Sequence, residues 1–308
     1  MRLERGLLGR TKRPWLAGVL LGAILVLPAQ AAHADRLLHQ ERSLYRNIFV
    51  VEDKGERCLL FRKRRGVGRE SCVDLSKPDF LVFDYTRMMM AGLFVDPDPK
   101  RILIIGLGGA TLPTALQEML PGAKIDVVEI DEAVQRAAHD YFGYRPGPNA
   151  KVFIDDGRVY VRRYAKKQGP AYDMVMLDAF GDDYIPEHLL TREFLTEVKS
   201  IMTPNGVIVA NTWPEAGLYD HESTTYASVF GAFYNMRIRN RIIVSRLGGL
   251  PSDAVIRANA QAWSARLRPR GVDTDALIRL MNPRPDWRTD ARVLTDQYSP
   301  SNLLNAMR

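Results

Sequence analysis

The sequence has 308 residues, two cysteines and a formal net charge of +7, from 43 basic and 36 acidic side chains. Its composition, 46% apolar and 26% charged, is that of a globular protein. A disordered chain, a collagen and a multi-span membrane protein are therefore excluded. Two cysteines cannot build a four-cysteine metal site, and we expect no bound metal, although one disulfide remains open.

Residues 1–34 have the three parts of a secretory signal peptide. Five basic residues and one acidic residue accompany an apolar run of 13 residues, from Trp15 to Leu27, and a small-residue stretch follows with cleavage points after Ala31 or Ala34. A membrane span needs about 20 apolar residues. We therefore expect an exported protein, periplasmic or secreted, with no stable membrane span after cleavage; an uncleaved N-terminal anchor is the alternative.

The basic excess lies mostly in that N-terminal segment. Without it, 38 basic and 35 acidic residues remain, a net charge of +3. The basic run at 62–65 is typical of a solvated hairpin tip, because no aromatic residues interleave with it as a base-stacking surface requires. We expect no nucleic-acid partner.

A small antiparallel meander is predicted from residue 45 to about 75, with apolar strands at 47–52 and 58–61. Cys58 and Cys72 lie at equal distances from Arg65 along the chain. If the hairpin turns there, the two cysteines face each other across the strands. An oxidising compartment would permit a disulfide, and two buried thiols are the other interpretation.

From residue 101 onward the pattern alternates between strands and helices, which predicts an α/β domain with a doubly wound parallel sheet. The predicted strands are 101–105, 124–130, 151–154, 172–177 and 207–210, and the predicted helices are 111–120, 132–142, 158–167 and 191–202. The predicted plan is a signal peptide at 1–34, a small β-domain at 35–78, a Rossmann-like nucleoside-binding domain at 79–250, and a helical tail at 251–308 that packs on it.

Glycines and acids follow successive predicted strands, at the sheet edge where such folds bind ligands. A carboxylate after the second strand suits ribose hydroxyls, and one after the third can accept a hydrogen bond from an adenine amine. Thr111 stands where the dinucleotide motif G-x-G-x-x-G has its last glycine, so an S-adenosyl nucleoside is favoured over a dinucleotide. The nucleoside candidates are Gly106, Gly108, Glu129, Asp131, Asp156 and Gly157. The further acids Asp178, Asp182 and Asp183 suit a cationic small-molecule substrate.

The ordered motifs resemble those of the spermidine synthase family of polyamine aminopropyltransferases, in particular its bacterial spermidine-synthase-like branch. The resemblance covers about residues 41–300. Its motifs are ERSLY at 41–45, FDYTRMM at 83–89, IIGLGG at 104–109, VVEID at 127–131, DGR at 156–158, LDAF at 177–180, IPEHLLT at 185–191 and LTD at 294–296.

The resemblance implies a β-domain in front of a methyltransferase-like Rossmann domain, with a cleft between them. It implies transfer of an aminopropyl group from decarboxylated S-adenosylmethionine, as co-substrate, to a cationic amine. Glu129 would hold the ribose and Asp156 the adenine. Asp178 would be the general base, and Tyr85 would line the amine site.

The amine side departs from the family pattern. Gly109 stands where the family's glycine loop commonly carries an acid, and Arg46 stands where a glutamine is expected. The acceptor amine therefore stays open. Two other functions stay open as well: an S-adenosylmethionine-dependent methyltransferase acting on a small amine, and a non-catalytic exported protein that binds a polyamine or nucleoside. A homodimer is a further expectation.

Overall fold

A computed structural model describes residues 35–64, 67–179, 186–212 and 216–306. The predicted signal peptide at 1–34 lies outside these residues, as do Asp182 and Asp183. Across the described ranges, no helix combines the length and apolar character that crossing a membrane requires. The predicted domain limits stay predictions.

The N-terminal part folds as a five-stranded antiparallel sheet in which neighbours in sequence are neighbours in space. Its strands are β1 (Arg36–Arg42), β2 (Asn47–Asp53), β3 (Glu56–Arg64), β4 (Val67–Asp74) and β5 (Lys77–Leu81). The predicted meander is thus present but longer at both ends. Both outer strands are largely exposed and carry charged side chains, so neither has the apolar run that marks a strand in sequence.

The two cysteines lie opposite each other on β3 and β4, as the turn prediction requires. Cys58 and Cys72 are joined in a disulfide, with their Cα atoms 4.1 Å apart. Both are buried in a small apolar cluster with Phe49 and Leu60. The disulfide therefore fastens the central hairpin of this sheet.

Two short helices, α1 (Asp84–Met89) and α2 (Gly92–Val95), lead from this sheet into the second one. Met88, Met89 and Met90 are fully buried at this junction.

The second sheet has seven strands, in the order β11-β12-β10-β9-β6-β7-β8. The five predicted strands are present and parallel, which confirms the doubly wound α/β class. The sequence analysis missed β11 and β12, which form a hairpin antiparallel to β10. The strands are β6 (Arg101–Ile105), β7 (Lys124–Glu129), β8 (Ala150–Ile154), β9 (Tyr172–Leu177), β10 (Met202–Thr212), β11 (Tyr234–Arg237) and β12 (Arg241–Arg246).

Helices cover both faces of this sheet, so its central strands are apolar on both sides. Alternate residues of β6 show this: Ile102 and Ile104 belong to one core cluster, whereas Leu103 and Ile105 belong to the other. The helices are α3 (Thr111–Met119), α4 (Glu132–Tyr141), α5 (Gly157–Gln168), α6 (Arg192–Ser200), α7 (Ala216–Phe230), α8 (Asp253–Leu267), α9 (Thr274–Leu280) and α10 (Ser301–Ala306).

Polar contacts hold the antiparallel sheet against the start of α4. The hydroxyl of Ser43, in the turn after β1, donates to the carboxylate of Asp131, and Arg136 on α4 pairs with Glu41 on β1. These contacts fix the turn between β1 and β2 beside the carboxyl ends of the parallel strands.

Candidate active site

The strand order reverses between β6 and β9, which is where open α/β sheets bind ligands. Gly106 lies at this point: its N–H donates to the carbonyl of Val128, and the N–H of Asp178 donates to the carbonyl of Ile105, each over 2.8 Å. Gly106 has φ +105°, and a Cβ there would lie 2.1 Å from the carbonyl oxygen of Asp178. Only glycine lets the three strand ends approach this closely.

A cavity of about 490 Å³ opens at this edge and reaches the antiparallel sheet. Its floor is formed by the predicted strand-end residues, and its other wall by the turn after β1 and by strands β3 and β4. Among the lining residues are Arg46, Phe61, Glu70, Ser71, Tyr85, Gly106, Gly108, Glu129, Asp156, Gly157, Asp178, His188 and Asn211. The structure thus brings most of the predicted site residues together around one space.

Glu129, at the end of β7, is held by two backbone donors. Its Oε2 accepts from the N–H of Leu107 over 2.9 Å, and its Oε1 accepts from the N–H of Asp131 over 3.0 Å. Burial raises the pKa of Glu129, while these two hydrogen bonds and the charge of Arg46 lower it. The carboxylate is therefore fixed in one orientation at the cavity wall.

Asp131 has a different position from the other acids. It caps α4 by accepting from the N–H of Ala133 over 3.0 Å, and its other oxygen accepts from Ser43. It is buried and does not line the cavity. Its observed contacts are those of a helix cap that also anchors the antiparallel sheet.

Asp156 both caps α5 and faces the cavity. Its Oδ1 accepts from the N–H groups of Arg158 and Val159, each over 2.9 Å, and its Oδ2 lies 2.9 Å from Nε2 of His188. The hydrogen bond to His188 is the main reason why the pKa of Asp156 lies below its usual value. The next residue is Gly157. A Cβ at this position would lie 2.6 Å from the side chain of Ile105, so a larger residue would clash there.

Asp178 directly follows β9, is half-buried and lines the cavity. Burial raises its pKa to about 7; a hydrogen bond from Asn211 lowers it, and the charge of Glu129 raises it. Nδ2 of Asn211 donates to Oδ1 of Asp178 over 2.9 Å, and Oδ1 of Asn211 accepts from Asn240 over 3.2 Å. A carboxyl group with a pKa near neutrality can take up and release a proton under physiological conditions.

Tyr85, the second residue of α1, lines the cavity as predicted. Its hydroxyl donates to the backbone carbonyl of Glu70 on β4 over 3.3 Å, and its ring stacks on Phe83. The tyrosine therefore connects the first helix to the antiparallel sheet at the cavity wall.

Ser71 on β4 packs against the glycine loop. A Cβ at Gly109 would lie 2.8 Å from Oγ of Ser71, and one at Gly108, where φ is +54°, would lie 3.5 Å from the Cβ of Ser71. A larger residue at position 109 would have to displace this serine.

Several lining residues were not predicted from the sequence. Asn211 directly follows the fifth predicted strand, so the strand-end rule could have found it. No sequence signal pairs His188 with Asp156, or places Ser71 beside the glycine loop, because those contacts join distant segments.

The described residues bring Glu56, Cys58 and Cys72 within metal-ligand distance of one another. Both sulfur atoms are joined in the disulfide, so this group does not offer the thiolates that bind metals.

The seven-stranded sheet, the switch-point glycines and the fixed acids at the strand ends define an α/β protein with a nucleoside-type site. A family model described as "Spermine/spermidine synthase domain" matches residues 82–243. Together with the relative described next, this match shows that the chain belongs to the spermine/spermidine synthase family.

A polyamine aminopropyltransferase of Vibrio vulnificus is 44% identical over 293 residues, which are 93% of this chain and 98% of that protein. Among solved structures, a probable spermidine synthase from Corynebacterium glutamicum superposes with a TM-score of 0.62 at 21% identity, covering 83% of this chain and 98% of its own. Human methyltransferase-like protein 13, solved in complex with SAH, gives a TM-score of 0.57 at 29% identity, covering 70% of this chain and 99% of that one.

Proposed function

We propose that this protein is a polyamine aminopropyltransferase, which moves an aminopropyl group from decarboxylated S-adenosylmethionine to an amine. The observation that carries the proposal is the 44% identity to an enzyme of that name across almost its full length. The cavity at the strand ends supports it, because carboxyl groups fixed by hydrogen bonds line the same space and the pKa of one of them, Asp178, is raised to about 7.

The donor nucleoside is assigned to the floor of the cavity. Glu129 offers carboxylate oxygens at a position that suits the two ribose hydroxyls. Asp156 is assigned to the adenine, whose exocyclic amine would share the carboxylate with His188. Gly106, Gly108 and Gly157 leave room for the nucleoside to approach the backbone.

Asp178 is assigned as the general base. The amine nitrogen attacks the carbon next to the sulfonium, the carbon–sulfur bond breaks, and its electron pair goes to sulfur, which leaves as a thioether nucleoside. The amine proton passes to the carboxylate of Asp178 and then to solvent. A base whose pKa is close to the working pH suits this step.

Tyr85 is assigned to the amine side of the cavity, where its ring offers an apolar surface to the carbon chain of the acceptor. Asp182 and Asp183, which follow β9 in the sequence, are also assigned to amine binding. Carboxylates there would offset the desolvation of a cationic amine.

The test is a transfer assay with purified protein and a panel of diamines and polyamines, run in parallel with decarboxylated S-adenosylmethionine and with S-adenosylmethionine as donor, with mass spectrometry of the products. We expect one aminopropyl adduct and one equivalent of thioether nucleoside per turnover. Methylated amine formed from S-adenosylmethionine, with no aminopropyl adduct, would overturn the proposal.

A methyltransferase is the second candidate function. It is favoured by the 29% identity to human methyltransferase-like protein 13 over 70% of this chain, in a structure that holds SAH. The same cavity and the same base would serve methyl transfer to an amine, and the assay above separates the two reactions.

Export stays a proposal that is based on the pattern of residues 1–34. A Cys58–Cys72 disulfide is compatible with an oxidising compartment. N-terminal sequencing of the protein purified from its own cells tests this: a new N-terminus after residue 31 or 34 is expected, and an intact Met1 would contradict cleavage. The homodimer also stays a prediction, and analytical ultracentrifugation, which measures the mass of the protein in solution, tests it.

A further inference from the structure

Two arginines in the cavity wall lack an acceptor for their guanidinium groups among the described residues. Arg46, in the turn after β1, is half-buried, and its guanidinium lies 4.2 Å from the centroid of the Phe61 ring. Arg239, in the turn between β11 and β12, is exposed and also lines the cavity. A third lining arginine, Arg69, differs because it pairs with Glu56.

Three acids of the cavity floor, by contrast, have protein partners. Glu129 accepts from two backbone N–H groups, Asp156 from two N–H groups and His188, and Asp178 from Asn211. Arg46 is close enough to Glu129 to lower its pKa, yet it forms no ion pair with it. Neither Arg46 nor Arg239 therefore donates a side-chain hydrogen bond to an acid among the residues that the structure describes, although acidic residues line the same cavity.

A guanidinium that is half-buried in a cavity loses part of its hydration and gains when an anion replaces the water. Its planar set of N–H donors matches the two oxygens of a carboxylate. The contact with the Phe61 ring limits the side-chain freedom of Arg46. Less conformational entropy is therefore lost when Arg46 binds a ligand.

We propose that Arg46, assisted by Arg239, recognises a carboxylate on one of the two reactants, so that the site takes a zwitterionic ligand and not only polyamine cations. The inference rests on the nucleoside-and-amine site proposed above, and it concerns the substrate class of that site. The carboxylate can come from the amino-acid end of the nucleoside donor or from the acceptor, and the chemistry of recognition is the same.

Two pairs of compounds that differ only in a carboxylate separate these sources. The donor pair is S-adenosylmethionine and its decarboxylated form. The acceptor pair is ornithine and putrescine, titrated by calorimetry in the presence of methylthioadenosine. We expect the carboxylated member of one pair to bind about tenfold to a hundredfold more tightly, which is the range for a hydrogen bond to a charged group.

Three variants assign the effect to its residues. Arg46→Gln or Arg239→Gln should remove the preference, whereas Arg257→Gln, an exposed arginine on α8 outside the cavity, should keep it. Equal or weaker binding of the carboxylated member in both pairs by the wild type would overturn the proposal without any variant. A preference that survives both cavity substitutions would overturn it too.

Aminopropyl transfer to putrescine, measured in parallel, distinguishes this inference from the proposed function. If transfer proceeds while neither pair shows a preference, only the carboxylate inference fails. If a carboxylated ligand is preferred and the arginine variants abolish that preference, the inference stands even where no aminopropyl transfer is found.

Discussion

Asn211 donates a hydrogen bond from Nδ2 to Oδ1 of Asp178 over 2.9 Å, and its own Oδ1 accepts from Asn240. The second contact fixes the orientation of the Asn211 amide, because its oxygen is already engaged. The NH₂ group must then face Asp178. One oxygen of the proposed base is thereby engaged, and within the described ranges its other oxygen accepts no hydrogen bond and can receive the substrate proton.

Replacement of that donor should shift the pH dependence of catalysis. The hydrogen bond from Asn211 lowers the pKa of Asp178, which burial holds at about 7. In Asn211→Ala the pKa of Asp178 should rise, so the acid limb of the kcat/KM profile moves to higher pH. We expect a severalfold loss of activity at pH 7 and recovery near pH 8.5.

The matched control is Asn205→Ala, at an exposed position near the start of the same strand. It should leave the profile unchanged. An Asn211→Ala profile with an unshifted acid limb would show that the hydrogen bond does not set the pKa of the base.

Asp178→Asn should abolish transfer and yet stabilise the fold at high pH. Loss of a general base costs about 10²–10⁴-fold in rate. The pKa of Asp178 is about 7 in the fold against 3.8 for the ordinary group, so the folded state holds this proton more tightly. The free energy of unfolding therefore falls as pH rises from about 4 to about 7, by an amount on the order of a few kcal/mol.

Thermal unfolding at two pH values checks this prediction. The amide carries no charge, so Asp178→Asn should melt above the wild type at pH 8.5 and close to it at pH 4.5. Asp140→Asn, an exposed acid on α4, is the control and should alter neither activity nor the pH dependence. A variant less stable than the wild type at pH 8.5 would refute the argument from burial.

Glu129→Gln should weaken binding of the nucleoside. Both oxygens of Glu129 accept from backbone N–H groups, and a glutamine NH₂ would face one of those donors. We expect at least about a tenfold loss of affinity for methylthioadenosine, because a buried donor is left unpaired.

Calorimetry provides the measurement for this variant. Glu132→Gln, three residues along the chain and exposed at the start of α4, is the control and should bind as the wild type does. Unchanged affinity of Glu129→Gln would remove Glu129 from the proposed ribose site.

Gly106→Ala should destabilise the protein strongly. The added Cβ would lie 2.1 Å from the carbonyl oxygen of Asp178, which is backbone and cannot swing aside. The φ of +105° adds strain for any residue other than glycine. We expect a loss of about 2 kcal/mol or more in the free energy of unfolding. At Gly122 a Cβ would meet nothing within 4 Å, so Gly122→Ala should change little; equal effects of the two substitutions would refute the steric argument.

Reduction of the disulfide should lower stability. The bond between Cys58 and Cys72 closes a loop with a sequence separation of 14. Bonds of this kind contribute about 2–4 kcal/mol. Denatured protein that has not been reduced should show no reactive thiols, and reductant should lower the melting temperature. Cys58→Ala/Cys72→Ala should be insensitive to reductant; two reactive thiols in the unreduced protein would contradict the bond.

Local pattern made much of the fold and part of the site predictable. Parallel strands that are buried on both faces are largely apolar, so β6, β7 and β9 could be recognised by composition. The edge strand β8 is only partly buried, and its short apolar run was enough to predict it. Acids and glycines directly after such runs lie at one edge of the sheet, which is why Gly106, Glu129, Asp156 and Asp178 were found to line one cavity.

The features that could not be predicted from the sequence depend on contacts between segments that are distant along the chain. Asp131 follows the same strand-end rule as Glu129, yet it caps α4 and lies outside the cavity. The sequence analysis missed the β11–β12 hairpin although β12 contains the apolar run Ile242–Val244. The largely exposed outer strands of the antiparallel sheet carry no such run, so their place depends on pairing with neighbours.

The sequence by itself determined the order of elements, the acids that follow the parallel strands and the nucleoside-binding class. Each of these depends on residues that are adjacent along the chain. Only the tertiary structure decided that the pKa of Asp178 lies near 7, because that pKa depends on desolvation and on Asn211 and Glu129, which come from other strands. It also brought Arg46 from the antiparallel sheet to the wall beside Glu129. The initial charge of +7 carried no information about that wall, because the charge of a site depends on which side chains folding brings together.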